Sequence, residues 1–241
     1  MRKDPGLNGD ADRIPQLSWL LFLKSLDDRE REREAFGESL TPILKAPYRW
    51  RDWAGRERTV DRTGDALVSF VNANLIPHLG ESGTGRTTSE RDVVTQVFAD
   101  VRNRMVSGYL LAELIEQVDR VNFNSSDDLH TMAHVYETML KEMRDAAGDA
   151  GEFYTPRPLV RFMVEMMDPR VGEVTMDPAV GTGGFLVETY EHVSRQITSN
   201  ADRERTRGTL RGFEKKPQPF LLAQMNLLLH GALDPRVVRS N

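Results

Sequence analysis

Hydrophobic positions recur at helical spacing through the amino-terminal part of the chain, then give way to alternating helix and strand patterns. Residues 14–26 carry Ile14, Leu17, Trp19, Leu20, Leu21, Phe22, Leu23 and Leu26, which leaves little polar face and predicts a helix enclosed by other helices. Residues 1–12 before it are polar and contain glycine and proline, so a mobile arm is expected. After it, Asp27-Asp28-Arg29-Glu30-Arg31-Glu32-Arg33-Glu34 alternates sign within single turns, the pattern of a solvated helix end. Leu67, Phe70, Val71, Leu75 and Leu79 predict a helix over 64–79, with Pro77 marking its end. Three further helical patterns follow around 93–101, 109–121 and 129–143, the last with cap chemistry from Ser125-Ser126-Asp127-Asp128.

Two stretches of this helical part invite a functional reading. Tyr48-Arg49-Trp50-Arg51-Asp52-Trp53 interleaves rings with guanidinium groups, which suits base stacking; three large rings so close more often anchor a helical core, and that is the expectation. His130 and His134 stand one helical turn apart, yet no Glu follows His130 as a zinc-protease helix requires, and no metal site is assigned. Gly80-Glu81-Ser82-Gly83-Thr84-Gly85-Arg86-Thr87-Thr88 reads as a flexible linker. Asp145-Ala146-Ala147-Gly148-Asp149-Ala150-Gly151, small and glycine-punctuated, divides a helical domain at 1–147 from an α/β domain at 148–241.

In the second domain Leu159, Phe162, Met163 and Met166 predict a helix entered through Pro156 and Pro158. Glu173-Val174-Thr175-Met176 predicts a short buried strand, and Phe185, Leu186, Val187, Tyr190 and Val193 a helix after it. A charged connection over 195–207 leads to a second strand, Thr209-Leu210-Arg211-Gly212-Phe213-Glu214. Pro217 and Pro219 open a last helix that closes at Gly231.

The first strand and its helix are joined by Asp177-Pro178-Ala179-Val180-Gly181-Thr182-Gly183-Gly184-Phe185, a glycine turn that a ligand can approach with no Cβ in the way. A phosphate loop needs Lys-Ser/Thr after its last glycine, where Phe185 and Leu186 stand. A dinucleotide fingerprint needs a small residue where Leu186 stands. S-adenosylmethionine (SAM) fits better: Asp177 can face its ammonium, the glycines leave bare backbone for its amino-acid part, and Glu214 ends the second strand where ribose hydroxyls bind in nucleotide folds. A purely structural turn and a nicotinamide-dependent oxidoreductase stand as the alternatives.

Four segments, taken in order, resemble the modification subunit of type I restriction-modification systems, an N6-adenine DNA methyltransferase family. They are Leu17-Ser18-Trp19-Leu20-Leu21-Phe22-Leu23-Lys24-Ser25-Leu26-Asp27-Asp28; Gly151-Glu152-Phe153-Tyr154-Thr155-Pro156-Arg157-Pro158-Leu159-Val160; the loop from Asp177 to Phe185; and Leu210-Arg211-Gly212-Phe213-Glu214 with Ala223-Gln224-Met225-Asn226-Leu227-Leu228-Leu229-His230-Gly231. Val180 departs from the cysteine or alanine more usual there. The resemblance implies an α-helical N-terminal domain followed by the first part of an α/β Rossmann-like SAM-dependent methyltransferase fold, mostly helical with few strands. It implies SAM as cofactor, held by Glu152, Phe153, Tyr154, Thr155, Pro156, Arg157, Asp177, Ala179, Gly181, Thr182, Gly183, Gly184, Phe185 and Glu214. It also implies methyl transfer to adenine N6 of a flipped base and a cytoplasmic protein working with DNA, a specificity subunit and a restriction subunit, two modification subunits per specificity subunit.

Composition adjusts this picture modestly. At 241 residues there is room for one large or two small domains. No apolar run is long enough to cross a membrane, no signal peptide is visible, and the absence of cysteine excludes disulfides, thiol catalysis and Cys-ligated zinc within the chain. A net charge of −5 argues against strong independent DNA binding, which rests on Lys and Arg neutralising phosphates. The resembled family grips the adenine amino group with an Asn/Asp-Pro-Pro-aromatic motif. Here the Asp-Pro pairs at Asp4, Asp168, Asp177 and Asp234 all lack a second proline, and Asn-Pro does not occur. No catalytic residue is therefore assigned; the chain is expected to be an amino-terminal portion, inactive alone, with its sheet edges unpaired after two strands. Its alternative role is that of a helical module docking a specificity subunit.

Overall fold

The apolar run becomes α1 (Asp10–Ala35), whose Ile14, Trp19, Leu20, Leu21, Leu23 and Leu26 are all buried. The computed structural model describes residues 1–37, 42–56, 63–81, 90–146, 155–232 and 234–240. It contains two compact units, Met1–Leu129 and His130–Asn241. The domain boundary expected at 147/148, and 82–88 of the expected linker, lie outside the described residues.

In the first unit α1 packs against α2 (Trp50–Trp53) and α6 (Gly108–Asp119). Between these come α3 (Gly64–Phe70), a π-helical turn (Val71–Leu75), α4 (Ile76–Gly80) and α5 (Glu90–Phe98). Pro77 does not end its helix as expected. In the wide turn before it, Ile76 N–H bonds to Val71 O, and the missing Pro77 N–H then falls in the first turn of α4, where no intrahelical acceptor is needed. Trp50 and Trp53 are buried edge to face, the Trp50 indole N–H donates to Asp119 Oδ1 at 2.7 Å, and Tyr48 stacks on His78, so the rings serve packing.

Two expectations for this unit fail for one reason, carboxylates turned inward onto donors. Asp27, Asp28 and Glu30 are buried rather than solvated. Asp27 receives Arg51 at 2.7 Å and Arg31 at 3.2 Å, Asp28 pairs with Lys24 and accepts Phe123 N–H at 3.2 Å, and Glu30 accepts Ile43 N–H. Burial still pushes the carboxyls of Asp27 and Glu30 above the ordinary range. Likewise residues 1–12 are anchored: Leu7 is buried, and the buried Asp4 carboxylate accepts the N–H groups of Gly6 (2.9 Å), Val106 (3.2 Å) and Ser107 (3.0 Å).

The second unit starts within α7 (Ser126–Ala146), whose first turn is capped by Ser125 Oγ accepting Asp128 N–H at 3.4 Å. Then follow α8 (Arg157–Met167), β1 (Thr175–Asp177), α9 (Gly184–Ser194), α10 (Asn200–Thr206), β2 (Leu210–Glu214), α11 (Pro217–Leu229) and β3 (Arg236–Arg239). Helix α10 lies within the stretch expected as a charged connection, capped by Ser199. The three strands form one parallel sheet, β2 central, with Asp177 opposite Gly212 and Gly212 opposite Val237. Strand β3 was not expected; Val237-Val238 between two arginines is too short a signal to register alone.

Strand β1 is not buried as expected. Helix α9 packs on β1 and β2, and α11 on β2 and β3, covering the face that carries Leu210 and Val237. The opposite face shows Met176 (53% exposed) and Phe213 (39% exposed), with Val174 exposed at the start of β1. Neighbouring α8 leaves Leu159, Phe162, Met163, Met166 and Met167 exposed. Parallel sheets are ordinarily covered on both faces; among the described residues this one is covered on one face, and the outer edge of β1 is unpaired.

Candidate functional site

The carboxyl ends of β1 and β2 place two acids beside one glycine turn, the position at which open parallel sheets bind ligands. Asp177 ends β1 and Glu214 ends β2. They are close enough for the Glu214 charge to act on Asp177, whose carboxyl is pushed above the usual range chiefly by burial, with Glu214 adding and a hydrogen bond from Ala179 N–H (2.9 Å) opposing. Gly212 permits the approach: a Cβ there would stand 2.3 Å from Val180 Cγ2 and 2.7 Å from Asp177 O.

The turn between β1 and α9 is held from several sides. Glu214 accepts Gly181 N–H and Lys216 N–H, both at 2.8 Å, so its carboxylate fastens the turn to the end of β2. Val180 N–H reaches Phe213 O at 3.0 Å, and Gly183 N–H closes back on Val180 O at 2.9 Å. Gly181 (φ 56°) and Gly183 (φ 85°) take the left-handed backbone that side chains disfavour. Gly184 differs: its φ is not left-handed, and a Cβ built on it meets no described atom within 4 Å. It opens α9, whose first N–H groups, those of Gly184, Phe185 and Leu186, have no acceptor within the helix.

A cavity of about 590 Å³ lies over this turn, within the second unit. Of the residues expected at the ligand, Thr155, Arg157, Asp177, Ala179, Gly181, Thr182, Gly184 and Phe185 line it. Gly183 sits instead against Ala223, Pro156 caps the start of α8, and Glu214 works through Gly181. Glu152, Phe153 and Tyr154 lie outside the described residues. The cavity is also lined by His134, Glu137, Thr138 and Lys141 of α7, which were not expected there although their i, i+3, i+4, i+7 spacing marks one polar face. Asn226 was likewise not expected at the cavity; its signal is an amide inside the apolar stretch of α11.

Charges tie the helices around the turn together. Arg157 Nη1 donates to Gly184 O at 2.8 Å while its other nitrogen pairs with Glu137, and Arg161 pairs with Glu188 at 2.7 Å. His230 Nδ1 lies 2.8 Å from Glu191, and this hydrogen bond is the main reason the Glu191 carboxyl falls below its usual range. Among the described residues no cluster of His, Cys, Asp and Glu could hold a metal, and no helix is long and apolar enough to cross a membrane.

Comparison with known proteins finds two successive family matches. Residues 1–118 match the model for the HsdM N-terminal domain, and residues 127–239 match that for N-6 DNA Methylase. The type I restriction enzyme EcoEI methylase subunit of Escherichia coli is 42% identical over 99% of this chain and 49% of its own length. The EcoKI methylase subunit of Escherichia coli K12 is 29% identical over 90% of this chain and 39% of its own. A crystal structure of a modification subunit from Vibrio vulnificus YJ016 is 50% identical, with a TM-score of 0.80 over the whole chain and 53% of its own. A structure from work on assembly and conformational transition of the type I R-M system is 41% identical, with a TM-score of 0.87 over the whole chain and 48% of its own. The chain thus spans about half the length of the first of these relatives.

Proposed function

Because the chain belongs to the family of type I restriction-modification methylase subunits, we propose that it carries the SAM-binding half of an N6-adenine DNA methyltransferase. The observation that carries this is the convergence of Asp177, the glycine turn and the bare Gly184 Cα on one cavity. The residues fit the cofactor. Asp177 offers a carboxylate to the methionine ammonium, the open space over Gly184 admits the amino-acid part, and the first N–H groups of α9 offer donors to its carboxylate. Thr155 and Phe185 supply further wall, and Glu214 holds Gly181 in place.

When bound, SAM would supply an electrophilic methyl group on a sulfonium; Asp177, the open space over Gly184 and the first N–H groups of α9 would hold its amino-acid end. The gripping of the adenine amino group falls to residues outside this sequence, which lacks Asn-Pro and any Asp-Pro-Pro. The uncovered sheet face, the free edge of β1 and the apolar surface of α8 support the same division: further strands and helices of the methylase fold would cover them. DNA, a specificity subunit and a restriction subunit are the partners of the complete assembly.

Tritiated SAM tests the proposal in two arms. A methylase polypeptide carrying this chain as its amino-terminal half, mixed with its specificity subunit and DNA, is expected to yield N6-methyladenine. The 241-residue chain alone is expected to bind SAM weakly or not at all and to transfer no label. Label in DNA from the chain alone, or no SAM binding by the longer polypeptide, would sink it.

A further inference from the structure

We propose that Asn226 and Arg157 are positioning residues of the glycine turn: two side chains from two helices, each holding one carbonyl of the turn so that the backbone facing the cofactor is set before it binds. The inference rests on the SAM reading of this cavity and goes beyond it in naming what shapes the turn.

Asn226 projects from α11, where it is 1% exposed within a largely apolar run. Its Nδ2 donates to Thr182 O at 2.9 Å. Its Oδ1 is buried and has no hydrogen-bond partner among the described residues. A buried amide oxygen left without a donor costs stability, so an apolar side chain of the same size would serve packing alone at least as well. What the amide contributes is its donor.

A trans peptide is rigid, so holding a carbonyl fixes the N–H on the other side of the same plane. The plane joining Thr182 and Gly183 is pinned at both ends, its carbonyl by Asn226 and its N–H by Val180 O at 2.9 Å. The plane joining Gly184 and Phe185 is held by Arg157 at its carbonyl, and the Phe185 N–H opposite has no acceptor within α9. Arg157 is itself braced by Glu137 of α7 and lies 3.9 Å from Glu188 of α9. Together the two side chains pin both peptide planes that flank the Gly183–Gly184 bond. Glycine at 183 and 184 gives these planes more freedom than other residues would, and each side-chain bond adds to the backbone bonds that restrict it before the ligand arrives.

The test uses the complete methylase polypeptide in four forms besides wild type: Asn226→Leu, Asn226→Asp, Arg157→Met and the cavity-filling Gly184→Val. For each, the SAM dissociation constant is measured by equilibrium dialysis, the melting temperature by calorimetry, and kcat and KM for SAM on a cognate duplex. Asn226→Leu is expected to weaken SAM binding at least about tenfold, and to raise KM far more than it lowers kcat, with a melting temperature close to wild type because the orphan Oδ1 is removed while Thr182 O loses its donor. A purely structural role would move the melting temperature and leave the affinity of the folded protein alone.

Asn226→Asp keeps the shape but loses the donor, and Arg157→Met loses the bond to Gly184 O; both are expected to show the same shift. These two decide the matter should Asn226→Leu fail to fold. Wild-type affinity in the folded Asn226 and Arg157 variants, with binding lost in Gly184→Val, would overturn this inference and leave the SAM site standing. No SAM binding by wild type would overturn both.

Discussion

Substitution at Gly184 separates ligand binding from folding more cleanly than any other change in the turn. A Cβ at this position meets no described atom within 4 Å, and φ is not in the left-handed region, so alanine fits without strain. In a helix interior, exchanging glycine for alanine gains roughly 0.5–1 kcal/mol; at the first position of α9 the gain is a fraction of that. Gly184→Ala is therefore expected to leave the melting temperature unchanged or slightly raised. Its methyl group nevertheless occupies the cavity of about 590 Å³ where the amino-acid part of SAM is proposed to lie.

Forcing an extra methyl group into a filled site costs about 1–3 kcal/mol, which corresponds to roughly 5- to 150-fold in affinity. Gly184→Val falls at the upper end or beyond. Neighbouring glycines behave differently. Gly183 has φ 85°, and a Cβ on Gly212 would stand 2.3 Å from Val180 Cγ2, so valine at either position lowers stability whether or not a ligand binds. Isothermal titration of SAM alongside differential scanning calorimetry reads both quantities from one preparation of the complete methylase. A Gly184→Val protein that melts like wild type and binds SAM with wild-type affinity would refute the reasoning, because the space over Gly184 would then hold no part of the ligand.

Other perturbations test separate links. Asp177 has its carboxyl raised mainly by burial, so its charge is a burden on the folded state at neutral pH; Asp177→Asn is expected to raise the melting temperature while weakening SAM, as calorimetry and titration would show. By the same sign, wild-type SAM affinity is present above the Asp177 pKa and falls as pH drops through it, starting above the ordinary aspartate value of about 4, and a pH series of dissociation constants checks it. Asp4→Ala strips the acceptor from three N–H groups and is expected to cost about 1–3 kcal/mol, seen as a lower melting temperature with SAM binding unaltered. Met176→Asp is expected to be nearly neutral in the 241-residue chain, where Met176 is 53% exposed, and to cost at least about 2 kcal/mol in the complete methylase, where the sheet face would be covered. Chemical denaturation of both forms makes that comparison.

Much of the α/β unit was legible because its signals are local. The glycine turn follows from residue types that tolerate left-handed backbone, and α11 from prolines at its start and a glycine past its end. What escaped depends on neighbours distant in sequence. The alternating charges at 27–34 read as solvated, since nothing local shows that Arg51, Lys24 and the Phe123 and Ile43 N–H groups will meet them. Asp4 looked like part of a free arm because its partners stand about a hundred residues on, at Val106 and Ser107. Strand β1 read as buried from its composition, whereas exposure depends on which elements cover the sheet. Of the cavity lining, Asp177, Gly181 and Gly184 were expected from the sequence, but the α7 residues and Asn226 were not, since each reaches the cavity only through tertiary packing.

Amide hydrogen exchange of the complete methylase, with and without saturating S-adenosylhomocysteine, reads ligand binding at the head of α9 residue by residue. Slower exchange is expected in the bound state at Gly184, Phe185 and Leu186, whose N–H groups open α9 without intrahelical partners, with the first unit's amides unchanged. Protection that appears elsewhere while the amides at 184–186 exchange at their free rate would contradict it.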